Sequence, residues 1–211
     1  MSDLKLEDSR TVADLRLFVS RAQVLVPDGY VRLQAAGRTL QFTVLVRSGE
    51  GLLGSGTVTA MRGVGLAAEA TSDVLVDLAA VANRLVRMES EGSTSLALPP
   101  VTRSAAWAAV TAPRTGWEVV GDADPAELTQ LASDLLAPVV KLRDSGATDA
   151  ETAAADKAAW GQTLGEGQAQ FRAGLVLGAH ALGFLVGDQA RVFRQGSWQR
   201  LTTKAGSVIA K

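Results

Sequence analysis

His180 is the only histidine in the chain and cysteine is absent. Thiol catalysis, disulfide frameworks and cysteine metal sites are therefore excluded, and a zinc centre would have to be built mostly from carboxylates, which suit harder cations. An imidazole in an apolar setting must be hydrogen-bonded, and its charge is easily moved across neutrality, which is how general bases arise. His180 sits in GLVLGAHALGF with no Ser or Asp motif at a recognisable spacing, and no G-x-S-x-G is present. The competing reading is a core or interface histidine bonded to a backbone carbonyl. In the same stretch Gly174 and Gly178, like Ala179 and Gly183, are four apart. Small residues at that interval make a flat helix stripe that another element can approach closely, either within the chain or from a second copy.

Two glycine runs imitate nucleotide loops. Gly49-Glu50-Gly51-Leu52-Leu53-Gly54 is a literal G-x-G-x-x-G, and Gly63-Val64-Gly65-Leu66-Ala67-Ala68 is a G-x-G-x-x-A. Such loops work by delivering a pyrophosphate to the N-terminus of the following helix. The first run leads instead into the β-branched, alternating Thr57-Val58-Thr59, with no G-K-[ST]. The second is cut short by Thr71-Ser72-Asp73. Both read as strand connections, and no cofactor is implied.

Charge is divided along the chain. Between Glu118 and Glu166 lie ten carboxylates against Lys141, Arg143 and Lys157. Asp144, Asp149, Glu151 and Asp156 fall there, but their spacing matches no calcium loop, so a solvated acidic face is the simpler account. After Asp188 there is no acid, while Arg191, Arg194, Arg200, Lys204 and Lys211 are all basic. A two-residue turn at Gly196-Ser197 sets Gln195 opposite Trp198, Phe193 opposite Arg200 and Arg191 opposite Thr202. One face then carries Arg191, Phe193, Trp198 and Arg200, the other Val192 and Leu201. Cations beside aromatics suit single-stranded nucleic acid or an acidic peptide. The alternative is that arginine stems cover core aromatics, with the basic strands paired to the acidic 118–166 region of the same chain or a neighbour.

The elements that must position these residues follow from periodicity. Val12, Leu15, Val19, Ala22 and Val26 predict a helix over 9–26 with Ser9 as N-cap, stopped by Pro27-Asp28-Gly29. Alternation then predicts strands at 30–34 and 39–46 about a turn at Gly37 and further strands at 57–61, 66–69 and 74–76; Asp77 suits the N-cap of a helix running to about Met88, with Leu78, Val81, Leu85 and Met88 as its inner stripe. Asp124-Pro125-Ala126-Glu127 and Thr148-Asp149-Ala150-Glu151 open two more helices, and a third covers 168–185. Strands at 190–195, 198–203 and 207–210 close the chain. The polar break at 90–95 and Pro99-Pro100 divide it into halves 1–95 and 96–211. The expected fold is α+β in two intimately packed halves: an N-terminal helix, antiparallel meander and helix, then a helical segment ending in a three-stranded antiparallel meander.

With 211 residues, 47% apolar, 20% charged and a net charge of −1, the chain offers no global pull toward nucleic acid or an anionic membrane. The polar start MSDLKLEDSR has no apolar leader core. The longest uncharged tract, 173–187, is fifteen residues with four glycines, short of the roughly 20 that cross a bilayer. A soluble, cytoplasmic protein is expected, and abundant Ala, Val and Arg with sparse Lys fit a GC-rich bacterial genome.

The tracts LPPVTRSAAWAAVTAPRTGWEVVGD and FRQGSWQRLTTKAGSVIAK resemble a family of uncharacterised proteins from high-GC Gram-positive bacteria, a resemblance that implies no activity. Separately, the helix at 9–26, the strands from Val31 to Val46 and DVLVDLAAVANRLVR at 73–87 are similar in element order to one repeat of a DNA sliding clamp. That likeness covers about 80 residues, and none of the clamp's pocket residues can be placed here. The sequence thus favours a non-enzymatic binding or scaffolding protein that forms homo-oligomers, with a protein partner open and no membrane role. Its contact residues would be Arg191, Phe193, Arg194, Trp198, Arg200 and Lys204, with Gly174, Gly178, His180 and Gly183 as a helix interface. Nucleic-acid binding by the basic hairpin or a clamp-like first half is the alternative; an enzyme pairing His180 with a carboxylate is the weaker one.

Overall fold

The computed structural model describes residues 3–49 and 54–211 and is α+β, with antiparallel strands and helices in each of two compact units. Unit 1 comprises Met1–Val46 and Thr59–Thr111; unit 2 comprises Arg47–Val58 and Ala112–Lys211. The break at 95/96 expected from composition thus lies before a segment, 96–111, that groups with unit 1. Backbone and charge hold it there. Leu96 pairs with Leu4, the Arg103 amide donates to the Leu75 carbonyl at 2.7 Å, and the Arg103 guanidinium forks onto Asp77 at 3.0 and 2.8 Å.

In unit 1, β1 (Leu4–Lys5) leads into α1 (Ser9–Leu25), two long strands β2 (Tyr30–Arg47) and β3 (Val58–Asp77), then α2 (Leu78–Glu91), β4 (Ser95–Leu96) and α3 (Ala106–Ala109). The last residue of β2 and the first of β3 belong to unit 2. The N-cap of α1 is Asp8, not Ser9. Its carboxylate accepts from both the Thr11 amide (2.7 Å) and the Thr11 hydroxyl (2.8 Å), a charged acceptor that a serine cannot match. β2 and β3 are antiparallel neighbours: Arg32 reaches Asp73, Arg38 the Leu66 carbonyl and Gln41 the Met61 sulfur.

The turn expected at Gly37 is instead an irregularity inside one continuous strand. Val31, Leu33 and Ala35 are buried before it and Leu40, Phe42, Val44 and Val46 after it, so the inward parity switches from odd to even. The switch falls across the exposed stretch 36–39, where Gly37, at φ +59°, takes a left-handed conformation. The predicted strands at 57–61, 66–69 and 74–76 likewise fuse into β3. The glycine pair Gly63 and Gly65 lies within it, and Gly65 lets the N-terminal segment cross close by: a Cβ there would lie 2.4 Å from the Glu7 carboxylate. α1 and α2 pack on each other, and bury Val12, Leu15, Phe18, Val19 and Ala22 of the one and Leu78, Val81, Leu85 and Met88 of the other.

Unit 2 contains β5 (Glu118–Ala123), α4 (Pro125–Asp144), α5 (Asp149–Gly161), the short pair β6 (Thr163–Leu164) and β7 (Phe171–Arg172), α6 (Ala173–Ala181), and β8 (Ala190–Gln195), β9 (Trp198–Thr203) and β10 (Gly206–Ala210). The strands run in the order β10-β9-β8-β5, all antiparallel, and beyond β10 the chain pairs through Gly56 and Thr57 with Lys211. Both predicted N-caps form: Asp124 accepts from the Ala126 amide, and Thr148 with Glu151 makes a reciprocal capping box. The helix predicted over 168–185 shrinks to the nine residues of α6. Ahead of it, the Arg172 amide is committed to Gln199 Oε1 and the Ala173 amide to the Gln162 carbonyl. Behind it, Gly183 at φ +68° ends the helix while the Phe184 amide returns to the Ala179 carbonyl. α6 is buried from Ala173 to Ala179, against α4, α5, β9 and β10, which accounts for its apolar character on every side. No helix among the described residues is long and apolar enough to cross a membrane.

Leu85 is fully enclosed between α2 and the unit 1 core. Leu85→Ala is expected to cost about 2–5 kcal/mol in chemical denaturation, whereas Leu17→Ala, at a half-exposed site of α1, should stay within about 0.5 kcal/mol.

Candidate functional site

Of the first glycine run, Glu50, Gly51, Leu52 and Leu53 lie outside the described residues; Gly54 accepts from the Thr57 hydroxyl at 2.7 Å, and a strand rather than a helix follows. The second is interior to β3. His180 is half-buried in the last turn of α6, where its own carbonyl accepts from the Gly183 amide. Two of the acidic residues are separately engaged: Glu151 caps α5, and Asp156 accepts from Arg47 (2.8 Å) and from the Trp160 indole (3.1 Å). Among the described residues no three His, Asp or Glu side chains gather where they could share a metal ion.

The small-residue stripe of α6 faces the chain's own strands. A Cβ on Gly174 would meet Val58 Cγ2 at 2.9 Å, and one on Gly178 would meet Val208 Cγ1 at 3.1 Å and Val58 Cγ1 at 3.5 Å. Gly183 stands apart from that contact, as the helix stop.

The C-terminal hairpin has the predicted register: Gln195 opposite Trp198, Phe193 opposite Arg200, Arg191 opposite Thr202. The Arg191–Phe193–Trp198–Arg200 face follows from it, and Val192 and Leu201 are buried on the other side. The strand β5 extends this face. Val119 lies opposite Phe193 and Asp122 opposite Arg191, across a bulge between Val119 and Gly121. Asp122 and Arg191 form a two-pronged ion pair at 2.6 and 3.1 Å, with Gln189 donating to the same carboxylate at 2.9 Å. The guanidinium holds the Asp122 carboxyl below its ordinary value, and the carboxylate raises Arg191.

Arg194 points to the opposite side. Its guanidinium donates to the Gln170 carbonyl, which also accepts from Gln199 Nε2 at 3.0 Å, so the loop before α6 is strapped to β8 and β9. The Lys204 stem lies over Gly187, where a Cβ would be 2.9 Å from Lys204 Cε. Lys211 Nζ stands 5.3 Å from the Trp198 ring centre.

Arg200 differs from these. Its guanidinium carbon lies 4.4 Å from the centre of the Phe193 ring and 4.6 Å from that of Trp117, so the cation is stacked between two aromatic faces. Burial lowers its pKa from the ordinary value, yet an arginine stays charged throughout the physiological range. Its Nε is buried and has no hydrogen-bond partner among the described residues, and the same holds for Gln195 Oε1. Both residues lie beneath one dipeptide. Trp117, fixed by its indole N–H donating to the Pro113 carbonyl at 2.8 Å, covers Arg200. Gly116, at φ +79°, passes so close to Gln195 that a Cβ would lie 2.7 Å from its amide nitrogen. Sequence reasoning identified Phe193 and Arg200 but missed Trp117, Gly116, Gln195 and Asp122. Their approach depends on β5 pairing with β8, about 70 residues away in the chain, which no local pattern encodes.

Two consequences are measurable. Gly178→Val should overpack against Val208 and Val58 and destabilise the fold by about 1–3 kcal/mol, read from the denaturant midpoint. For Asp122, the folded state lowers the carboxyl value, so the pair's contribution is complete above roughly pH 4 and is lost as the pH falls through the lowered value. Asp122→Asn should therefore reduce the melting temperature at pH 7, and the gap from the parent chain should close in acid.

The chain matches two family models, Domain of unknown function (DUF8010) over residues 1–109 and Domain of unknown function (DUF8185) over residues 112–211. A comparison with curated proteins finds no match. The first model ends and the second begins within a few residues of the change from unit 1 to unit 2 near residue 111. Because the first model spans more than half of its length, the chain belongs to the DUF8010 family.

Proposed function

We propose that the protein is a cytoplasmic, non-enzymatic binding or scaffolding protein that self-associates and uses the aromatic–cation face of β5, β8 and β9 as its contact surface. The observation that carries this reading is the posture of Arg200. A guanidinium fixed between Trp117 and Phe193, with hydrogen-bonding capacity left over, is oriented in advance of any contact. Binding then costs little side-chain entropy, and Trp, Phe and Arg are the residue types that dominate contact energetics. Trp198 with Lys211 above it, and Val119 at 59% exposure, add apolar area to the same surface.

The nucleic-acid alternative needs cations free to meet successive phosphates. Arg191 is committed to Asp122 and Arg194 to the Gln170 carbonyl, which weighs against it.

Native mass spectrometry of the full chain, with light scattering at matched concentrations, tests the reading. The expected masses are multiples of 21.9 kDa, and Trp198→Ala should shift the balance toward monomer by about tenfold in dissociation constant. A species of one chain at every concentration, for parent and variant alike, overturns self-association.

A further inference from the structure

α6 and β10 together form a strand-acceptor site within unit 2, and its occupant comes from far upstream in the chain. The Gly56 amide donates to the Lys211 carbonyl at 2.7 Å, and the Lys211 amide donates to the Thr57 carbonyl at 3.0 Å. An extended segment is thereby added on the side of β10 that β9 leaves open. Val58, only 3% exposed, fills the space that Gly174 and Gly178 open beside Val208. Arg47 fastens the same insert a second time, donating to Asp156 at 2.8 Å and lying 5.3 Å from the Trp160 ring centre. The backbone hydrogen bonds suit any extended chain, while the glycine-lined space is filled by a side chain of valine's size. Without its occupant the site would present an unpaired strand edge and an apolar helix face, which is a template for another chain.

We infer that this acceptor site also takes the Gly56–Val58 segment of a second copy, so that two chains exchange the segment reciprocally. The occupant seated in the site identifies what it binds, and a second copy carries that same sequence. Every contact is identical within one chain and between two, so the choice between them falls to the stretch that connects the units and to concentration. That stretch is short. The Ala108 carbonyl accepts from Arg32 of unit 1 at 2.8 Å, and the Pro113 carbonyl accepts from the Trp117 indole of unit 2 at 2.8 Å. Between those anchors Val110 and Thr111 are exposed and outside any helix or strand. Pro113 fixes its own φ and biases Ala112 to extended backbone, so the connection resists doubling back and carries on outward as readily to a neighbouring copy. Each copy gives one segment and receives one, which closes the assembly at two chains. The exchanged contact makes no use of the β5–β8–β9 face and so goes beyond the reading above.

The absence of cysteine permits a direct test on the full chain. Thr57→Cys is placed on an isotope-labelled chain and Lys211→Cys on an unlabelled one, and the two are denatured together, refolded as a mixture and oxidised in air. A disulfide between positions 57 and 211 can then form only between copies. Peptide mass spectrometry is expected to show it about tenfold more often than the 57–57 and 211–211 bonds of chance encounter, because seating raises the effective concentration of that one pair. Val58→Asp on the labelled chain should return the 57–211 bond to the chance level; should that variant fail to fold, the comparison of the three bonds in the first mixture decides alone. Trp198→Ala on both chains is expected to leave the 57–211 yield as it was. A 57–211 bond no more frequent than the other two, or one that persists in a folded Val58→Asp chain or vanishes with Trp198→Ala, overturns the exchange. In each of those cases a native mass that still falls with Trp198→Ala keeps the contact-surface reading, and a mass of one chain throughout removes both.

Discussion

The nine residues of α6 include no Asp, Glu, Lys or Arg, and its first seven, Ala173 to Ala179, have to be enclosed. The rest of unit 2 is organised by that requirement. One side is met by the sheet through Val208 and Val58, and glycines at 174 and 178 bring the helix backbone near enough for those valines to fill the gap. The remainder is met by α4 and α5. With one sheet face committed to α6, Arg191, Phe193, Trp198 and Arg200 of β8 and β9 are left on the other, while Arg194 stays on the side of α6. The candidate surface is thus a consequence of which side the apolar helix took.

Arginine is the second organising element, and its planar fork explains why lysine would not serve. Arg32 with Asp73, Arg103 with Asp77 and Arg191 with Asp122 are each two-pronged pairs, and Arg32 also reaches the Ala108 carbonyl at 2.8 Å. Exposed pairs of this kind contribute little to stability one at a time. They determine geometry instead: two of them fix the irregular segment before residue 111 onto β2 and β3, and the third fixes β5 beside β8. Arg200 is the contrasting case, stacked on rings rather than forked onto an acid.

Where the sequence was readable, side chains report local geometry directly. The α2 stripe of Leu78, Val81, Leu85 and Met88 is buried as its spacing requires, and the caps at Asp124 and Thr148 form because a side-chain oxygen needs only the next turn to find a donor. The hairpin register followed from turn length alone. What could not be read depends on distant partners. Gly37 has the composition of a turn but lies inside one continuous strand, with β3 beside it in the sheet. Arg172 and Ala173 have helical neighbours, yet their amides are taken by Gln199 and Gln162. Trp117 over Arg200 is of the same kind: each residue has an ordinary local context, and the pairing arises only once β5 is in the sheet.

The dodecapeptide 47–58 has a consequence for how the molecule is parsed. Linear family boundaries assign it to the first domain, but Arg47 meets Asp156 and Trp160, Gly56 and Thr57 pair with Lys211, and Val58 stands with Val208 against α6. The second module is therefore discontinuous: a portion of its hydrophobic interior is encoded some sixty residues upstream of its nominal start. Any exchange of halves between homologous chains would have to carry that upstream insert along to keep Val58 beside Val208 and α6.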